Sequence, residues 1–495
     1  MSSYDFDIGV IGSGAAGLTV AAGAARLGVK TLLVEKENRL GGDCLHYGCV
    51  PSKTLIKTSK VYHQIRNAAK YGLPGVEAPP VDFGNVRQRI LSVIEAVQKH
   101  DSVERFCSLG VKVEFGTATF QDEHVVEVDG RRYSAAKWVV ATGSRPAMPP
   151  IEGLSDTSVL TNMDIFFMDK LPEHLVILGA GPTAVEMAQA FVRLGSRVTV
   201  IQRSGRIMKH DDRQLAEDVR LVLEEEGVKF LLNASIRTVR DDGNSRTVEV
   251  EQGGRSFAVI GDAVLVALGR TIDVEELKLE NAGVDVGERG VVVDSRMRTS
   301  RKHIYACGDV TGKFQFTHAA GYEGSIVVSN AIFHLPRKSD YTYFPWCTFT
   351  EPELANIGMT EETARAGGVE PTVWSEDLSA NDRAQAEGET RGKIKMVLNE
   401  KDDPIGVQIL APNAGDLLSE WVAALNGSIK LHTLAGAVHP YPTLGELNKS
   451  VAGKKIGEKL FSQSVAKGLK FFFGFKGRAC EPERLSGDLN KEDHE

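Results

Sequence analysis

Two stretches of the chain repeat each other without a gap at an offset of 167 residues: FDIGVIGSGAAGLTVAAGAARLGVKTLLVEK (6–36) and HLVILGAGPTAVEMAQAFVRLGSRVTVIQR (174–203). Gly12 falls on Gly179, Gly14 on Gly181, Gly17 on Ala184, and Arg26-Leu27-Gly28 on Arg193-Leu194-Gly195. Each unit reads as an apolar strand, a glycine-rich turn, a helix with apolar residues at helical spacing, and a second β-branched strand. That context makes a bare GxGxxG a dinucleotide-binding fingerprint, in which backbone amides at the helix start face a pyrophosphate. The chain is therefore predicted to be an α/β protein with two Rossmann-like units.

The register of the repeat separates the two nucleotides. Glu35 closes the second strand of the first unit, where a carboxylate accepts bonds from both ribose hydroxyls, as an unphosphorylated ribose such as that of FAD requires. Its counterpart is the uncharged Gln202, followed by Arg203, Arg206 and Lys209. A guanidinium grips a 2′-phosphate bidentately and a carboxylate repels it, so NADPH is favoured over NADH. Basic residues solvating a surface loop are the plainer reading of the same cluster.

Between the two units lies GGDCLHYGCVPSKTL (41–55), in which Cys44 and Cys49 are four residues apart and Pro51 follows. Proline is favoured at the first position of a helix, which predicts a helix N-terminus at Cys49. There the unsatisfied N–H groups and the positive end of the helix dipole stabilise a thiolate. The pair reads as a redox-active dithiol.

Composition sets the context. The 495 residues predict about three domains, and 42% hydrophobic with 25% charged residues describe an ordinary globular chain. A net charge of -8 lacks the basic face that nucleic acid demands. Six cysteines are too few for a disulfide scaffold, and with no signal peptide before Tyr4 the expected compartment is the reducing cytoplasm. No apolar run approaches the ~20 residues that span a bilayer.

The chain resembles the class I pyridine nucleotide-disulfide oxidoreductases, a family that includes dihydrolipoamide dehydrogenase, glutathione reductase and mercuric reductase. The resemblance runs from about Asp5 to Leu460 and rests on the redox segment and both fingerprints, with VVATGSRP (139–146), VLVALGRT (264–271), IYACGDV (304–310) and FTEPELANIGMT (349–360). It implies an FAD-binding domain over 1–152 resuming at 286–338, an NAD(P)-binding domain over 153–285, and an α+β dimerisation domain over 340–460. A basic, aromatic and then polar tail occupies 461–495. It implies a homodimer, in which the dimerisation domain completes the partner's site.

The resemblance also implies roles. Cys49 would lie nearer the flavin and Cys44 on the substrate side, where it would exchange with a disulfide or bind a soft metal. Lys53 is similar to the family lysine beside the flavin, Glu186 resembles its partner, and Asp309 looks like the aspartate that bonds the FAD ribityl chain. FAD contacts are expected at Gly12, Gly14, Ala15, Ala16, Gly17, Glu35, Lys36, Gly42, Ala118, Thr142, Gly143, Asp309, His318 and Ala319. Nucleotide contacts are expected at Gly179, Gly181, Pro182, Thr183, Ala184, Arg203, Lys209 and Gly269. Pro182 replaces the aromatic lid of many relatives. No resident metal is expected.

The family's acid/base pair is a histidine five residues before a glutamate. Here HPYPTLGE (439–446) retains Glu446 but puts Tyr441 at the histidine's position, with His439 two residues upstream. A phenol with a reference pKa near 10 is a poor base beside thiols, whereas imidazole suits them. Tyrosine here is similar to mercuric reductase, although there is no N-terminal Cys-x-x-Cys module and Cys480 stands alone near the C-terminus. The leading expectation is an NADPH- and FAD-dependent reductase of a soft metal or small disulfide. The alternatives are a dihydrolipoamide dehydrogenase and a non-catalytic FAD-binding regulatory protein.

Cys107, Cys307 and Cys347 are expected to be buried as small hydrophobes. The stretch GEKLFSQSVAKGLKFFFGFKGR (457–478), with five Phe and five basic residues after Glu458, suits a helix packed across a dimer or one lying weakly on a membrane surface.

Overall fold

A computed structural model describes residues 4–477; Cys480 and the polar end of the tail lie outside the described residues. The first glycine-rich unit organises a sheet whose parallel strands run in the order Val111–Phe115, Thr31–Glu35, Phe6–Ile11, Arg131–Val140 and Ile304–Ala306. The central strands Phe6–Ile11 and Thr31–Glu35 and the end Trp138–Val140 are almost wholly buried, as a parallel sheet covered on both faces requires. The ten-residue strand Arg131–Val140 also pairs antiparallel, through Arg131–Ser134, with Val125–Val128. Helices Ala15–Arg26 and Thr317–Ala331 pack on each other, Gly23 lying against Val328 and Gly324 against the Ala16 carbonyl.

The second unit builds a four-stranded parallel sheet in the order Val228–Leu231, Arg197–Ile201, His174–Leu178, Ala263–Val266. Its turn repeats the first in detail. Gly12 N–H donates to the Val34 carbonyl and Gly179 N–H to the Ile201 carbonyl, both at 2.8 Å. Gly12 and Gly179 have φ of 100° and 103°, and a Cβ on either would sit 2.4 Å from the carbonyl oxygen of Ala141 or Ala267. Only glycine meets both demands.

A five-stranded antiparallel sheet ordered Pro345–Thr348, Glu353–Gly358, Pro404–Ala411, Lys393–Leu398, Thr372–Asp377 forms the third body. Helices Ala414–Asn426 and Glu446–Leu460 cover it, with Trp421 fully buried. Among the described residues, no helix is long and apolar enough to cross a membrane.

Two local expectations are corrected. Pro51 occupies the third position of the helix Cys49–Arg66, not the first; its missing N–H is still among the four that lack an intrahelical acceptor, so the helix start at Cys49 stands. Cys107 is exposed, because in the short helix Val103–Ser108 the neighbouring Phe106 takes the inward direction. Cys307 is buried and Cys347 half-buried.

Candidate active site

The dithiol sits where three segments converge. Gly41 and Gly42 both have positive φ, and a Cβ on Gly42 would lie 2.7 Å from Gly14 Cα, so the loop carrying Cys44 leans directly on the first glycine turn. Gly41 N–H donates to the Ser13 carbonyl at 3.1 Å. The redox helix then begins at Cys49. The packing of helix Thr317–Ala331 on Ala15–Arg26 brings its first residue to the same place, with Thr317 Oγ1 3.3 Å from Cys49 Sγ.

The two sulfurs are electrostatically unequal. Cys49 is exposed at the surface, and a hydrogen bond from the Cys44 thiol, the Thr317 hydroxyl and the Lys53 charge outweigh the partial desolvation of its sulfur and hold its thiol down at about 6. Cys44 is pushed far up by the Cys49 thiolate it bonds and by burial. Near neutral pH the pair is one thiolate at Cys49 and one thiol at Cys44.

One turn along the redox helix, Lys53 Nζ lies 2.8 Å from Glu186 Oε2 of the helix Pro182–Leu194 and 4.4 Å from the Phe349 ring centre. Glu186 Oε1 accepts from Phe349 N–H at 2.9 Å, and Gln189 Oε1 accepts from Glu351 N–H at 2.8 Å. Arg193, buried, pairs with Glu226 and Glu351, and Glu351 also pairs with Lys60. The segment 349–351 thus zips onto the second fingerprint helix and back to the redox helix.

On the first unit, Ala15, Ala16 and Gly17 form the opening turn of helix Ala15–Arg26 and Thr183 and Ala184 that of Pro182–Leu194, where Pro182 is the first residue. Gly14 and Gly181 cap these helices without any side-chain cap, and nothing lies within 4 Å of a Cβ built on either. Both helix starts therefore offer free amides to a pyrophosphate. Gly143 and Gly269 are likewise open, and the buried Thr142 hydroxyl has no partner among the described residues. These features fit the phosphates and ring edges of FAD and a nicotinamide dinucleotide.

Glu35 accepts from Ser13 N–H at 2.7 Å, from Ser13 Oγ at 2.6 Å and from Glu37 N–H at 2.9 Å, which fixes its carboxylate at the strand end. Lys36 pairs with Glu276 at the surface, and Ala118 is buried in strand Ala118–Phe120. His318 Nε2 lies 2.8 Å from the Pro345 carbonyl, while Ala319 is buried. In the second unit Gln202 donates to Ser204 Oγ, Arg206 is tied to Glu362, and Arg203 and Lys209 are exposed.

Asp309 follows Gly308 and is held by residues that sequence reading did not single out. Ser144 Oγ donates to Asp309 Oδ2 at 2.6 Å and accepts from Arg270 Nε at 2.7 Å; Arg270 also reaches Asp43, next to Cys44, at 3.3 Å. Burial pushes the Asp309 carboxyl up, against the Ser144 bond. Asn162 donates to Asp43 and to the Tyr47 carbonyl, pinning the loop between the cysteines.

The segment 439–446 is arranged differently from a histidine–glutamate pair at this register. His439 Nε2 lies 3.0 Å from Glu420 Oε1 and Nδ1 3.3 Å from the Ala437 carbonyl, so the ring faces these two acceptors. Tyr441, 70% exposed, donates to Asp382 Oδ2 at 2.8 Å, a bond that raises its phenol pKa further. Glu446 opens helix Glu446–Leu460, half-buried, its carboxylate 3.5 Å from Thr443 N–H. Glu420 and Asp382 had no signal in the sequence, since their partners lie 19 and 59 residues away.

The family model for pyridine nucleotide-disulphide oxidoreductases matches residues 6–324, and that for the dimerisation domain of the same family matches 344–452. A mercuric reductase of Streptomyces lividans is 33% identical over 93% of this chain and 97% of its own length. A dihydrolipoyl dehydrogenase of Geobacillus stearothermophilus is also 33% identical, covering 90% and 96%. Among solved structures, the HOCl-induced flavoprotein disulfide reductase RclA from Escherichia coli superposes with a TM-score of 0.81 at 28% identity, over 90% of this chain and 99% of that one, and a Cu(II) complex of it does so with the same score. With its dinucleotide turns, dithiol and dimerisation domain, the chain belongs to the pyridine nucleotide-disulphide oxidoreductase family and is a flavoprotein enzyme of that family, using FAD and a pyridine nucleotide.

Proposed function

We propose that this enzyme takes electrons from NADPH and delivers them through Cys49 and Cys44 to a soft metal ion, in the manner of a mercuric reductase, with a small disulfide as the lesser substrate. The observation that carries this reading is the state of the segment 439–446: the half-buried His439 is turned to Glu420 and the Ala437 carbonyl, and the exposed group at the family's histidine position is the Tyr441 phenol, itself bonded to Asp382. Reducing a disulfide calls for a proton to reach a leaving thiolate near neutral pH, which a phenol of raised pKa supplies poorly. A soft cation calls for sulfur ligands instead. Binding it at Cys44 and Cys49 releases the Cys44 proton and forms two metal–sulfur bonds.

Bound FAD supplies the transfer of a hydride's two electrons onward to the dithiol. The chain's own contribution is to keep Cys49 ionised, to hold Cys44 as its hydrogen-bond donor, and to place the Lys53 cation, fixed by Glu186, one turn away. For mercuric ion the sum is NADPH and one ion giving NADP⁺, a proton and the metal; for Cu(II), the ion in the Escherichia coli relative's complex, two ions are reduced to Cu(I) per NADPH. The dimerisation domain supports a homodimer that presents Tyr441 to the partner's dithiol, and a dithiol that must cycle suits a reducing cytoplasm.

Steady-state NADPH oxidation with mercuric ion, Cu(II), lipoamide and glutathione disulfide tests the reading. Turnover with a metal should exceed that with either disulfide; faster lipoamide turnover instead assigns the dihydrolipoamide alternative. Reversing charge with Arg203→Glu and Lys209→Glu should raise KM for NADPH by roughly tenfold or more and leave KM for NADH within about twofold, because the lost contacts are to the 2′-phosphate alone. An equal effect on both cofactors removes the NADPH assignment.

A further inference from the structure

Helix Gln463–Phe473 begins at Ser462, whose side chain caps it, and ends at Gly474 with φ of 65°; none of its residues is buried. At its end Phe471, Phe472 and Phe473 are 82%, 78% and 68% exposed, and the left-handed turn at Gly474 folds Phe475 back to stack on Phe473 at 5.9 Å between ring centres. Three consecutive helical residues point about 100° apart, so these rings surround the tip and do not form a stripe on one face. A protein groove covers one side of a helix. A medium that closes around the whole tip is what such a cluster fits.

The charges nearby select the kind of medium. On the preceding helix, Lys454, Lys455 and Lys459 are neutralised by Glu376, Asp402 and Glu458. Beyond it, Lys467, one turn before the aromatic tip, Lys470, immediately before it, and Lys476, just after it, have no carboxylate within ion-pair distance among the described residues. From Lys459 to Cys480 the sequence contains no acidic residue, in a chain whose net charge is -8. Cations ringing an aromatic cluster match headgroup phosphates above an acyl boundary.

We infer that the helix Gln463–Phe473 is a docking element for an anionic phospholipid surface, Phe471 to Phe473 and Phe475 entering the interface while Lys467, Lys470 and Lys476 meet the headgroups. The idea is independent of which electron acceptor the dithiol serves.

The test is co-sedimentation of the full holoenzyme with vesicles of phosphatidylcholine alone or with added phosphatidylglycerol. Comparison is with the variant carrying Phe471→Ser, Phe472→Ser and Phe473→Ser and with the pair Lys467→Glu and Lys470→Glu. The native chain should pellet with the anionic vesicles, and each variant should lose roughly tenfold or more in bound fraction, the serines by withdrawing apolar area and the glutamates by removing headgroup attraction. The flavin spectrum and the mass by analytical ultracentrifugation should not change. Native protein that stays in the supernatant, or pellets equally with neutral vesicles, overturns the inference. So does a triple variant that falls from dimer to monomer, which assigns the helix to a second copy of the chain.

Discussion

At the scale of single residues, the site works by asymmetry. Cys49 holds its ionised form down to about pH 6 because Cys44, Thr317 and Lys53 all favour the thiolate, while Cys44 stays protonated. The long-wavelength thiolate-to-flavin band of the NADPH-reduced enzyme should therefore rise with pH through an apparent pKa near 6 and be missing in Cys49→Ala. A band that appears only above pH 8 would contradict this ordering. Tyr441→His should raise turnover of a small disulfide by roughly a hundredfold, as positioned proton transfer is worth on the order of 10² or more. His439→Ala should leave metal turnover within about twofold and lower stability by about 1 kcal/mol, the usual net worth of a hydrogen bond. Steady-state kinetics and denaturant titration read the two effects separately. The sequence made the dithiol and the misplaced histidine visible. It hid Glu420, Asp382, Thr317, Ser144 and Arg270, because a contact across tens or hundreds of residues leaves no local pattern, and Cys107 because six residues of helix do not reveal which side faces inward.

At the scale of elements, the duplicated turn carried most of what could be read in advance. Strand, glycine turn and helix recur with the same hydrogen bonds and the same close carbonyl, since period, glycine placement and helix start all point to one local geometry. The turn also separates structural from ligand effects. A methyl on Gly17 would lie 1.8 Å from the Gly12 carbonyl oxygen, whereas one on Gly14 meets no protein atom within 4 Å. Gly17→Ala should cost about 1–3 kcal/mol of stability as well as flavin content. Gly14→Ala should keep the melting temperature of the flavin-free chain and still lose flavin. Absorbance at purification and thermal unfolding of the stripped protein distinguish them, and equal melting losses in both would count against the open cap.

At the scale of the whole molecule, the three bodies are joined by buried polar contacts that composition could not reveal. Asp211, beside the second unit, is buried and accepts 2.8 Å bonds from Trp346 and Asn356 of the antiparallel sheet; burial pushes its carboxyl up to about 6. Next to it, Asp212 pairs with the buried Lys395 at 2.7 Å. A carboxyl whose folded pKa is raised binds more protons folded than unfolded between its reference value near 4 and 6, so its contribution falls as pH rises across that window. Asp211→Asn should therefore flatten the stability-against-pH curve between pH 4 and 6 by about 2 kcal/mol relative to the native chain, measured by chemical denaturation. Parallel curves would show that this carboxyl does not titrate there.

The bonds that run from Lys53 and Lys60 through Glu186 and Glu351 to Arg193 rivet the helix that starts at the sulfurs to the helix that starts at the coenzyme turn. A frame fastened this way has no loose joint along the route electrons travel. Substitutions that suit the enzyme to a new oxidant are then expected around Cys44 and not along these fastened helices.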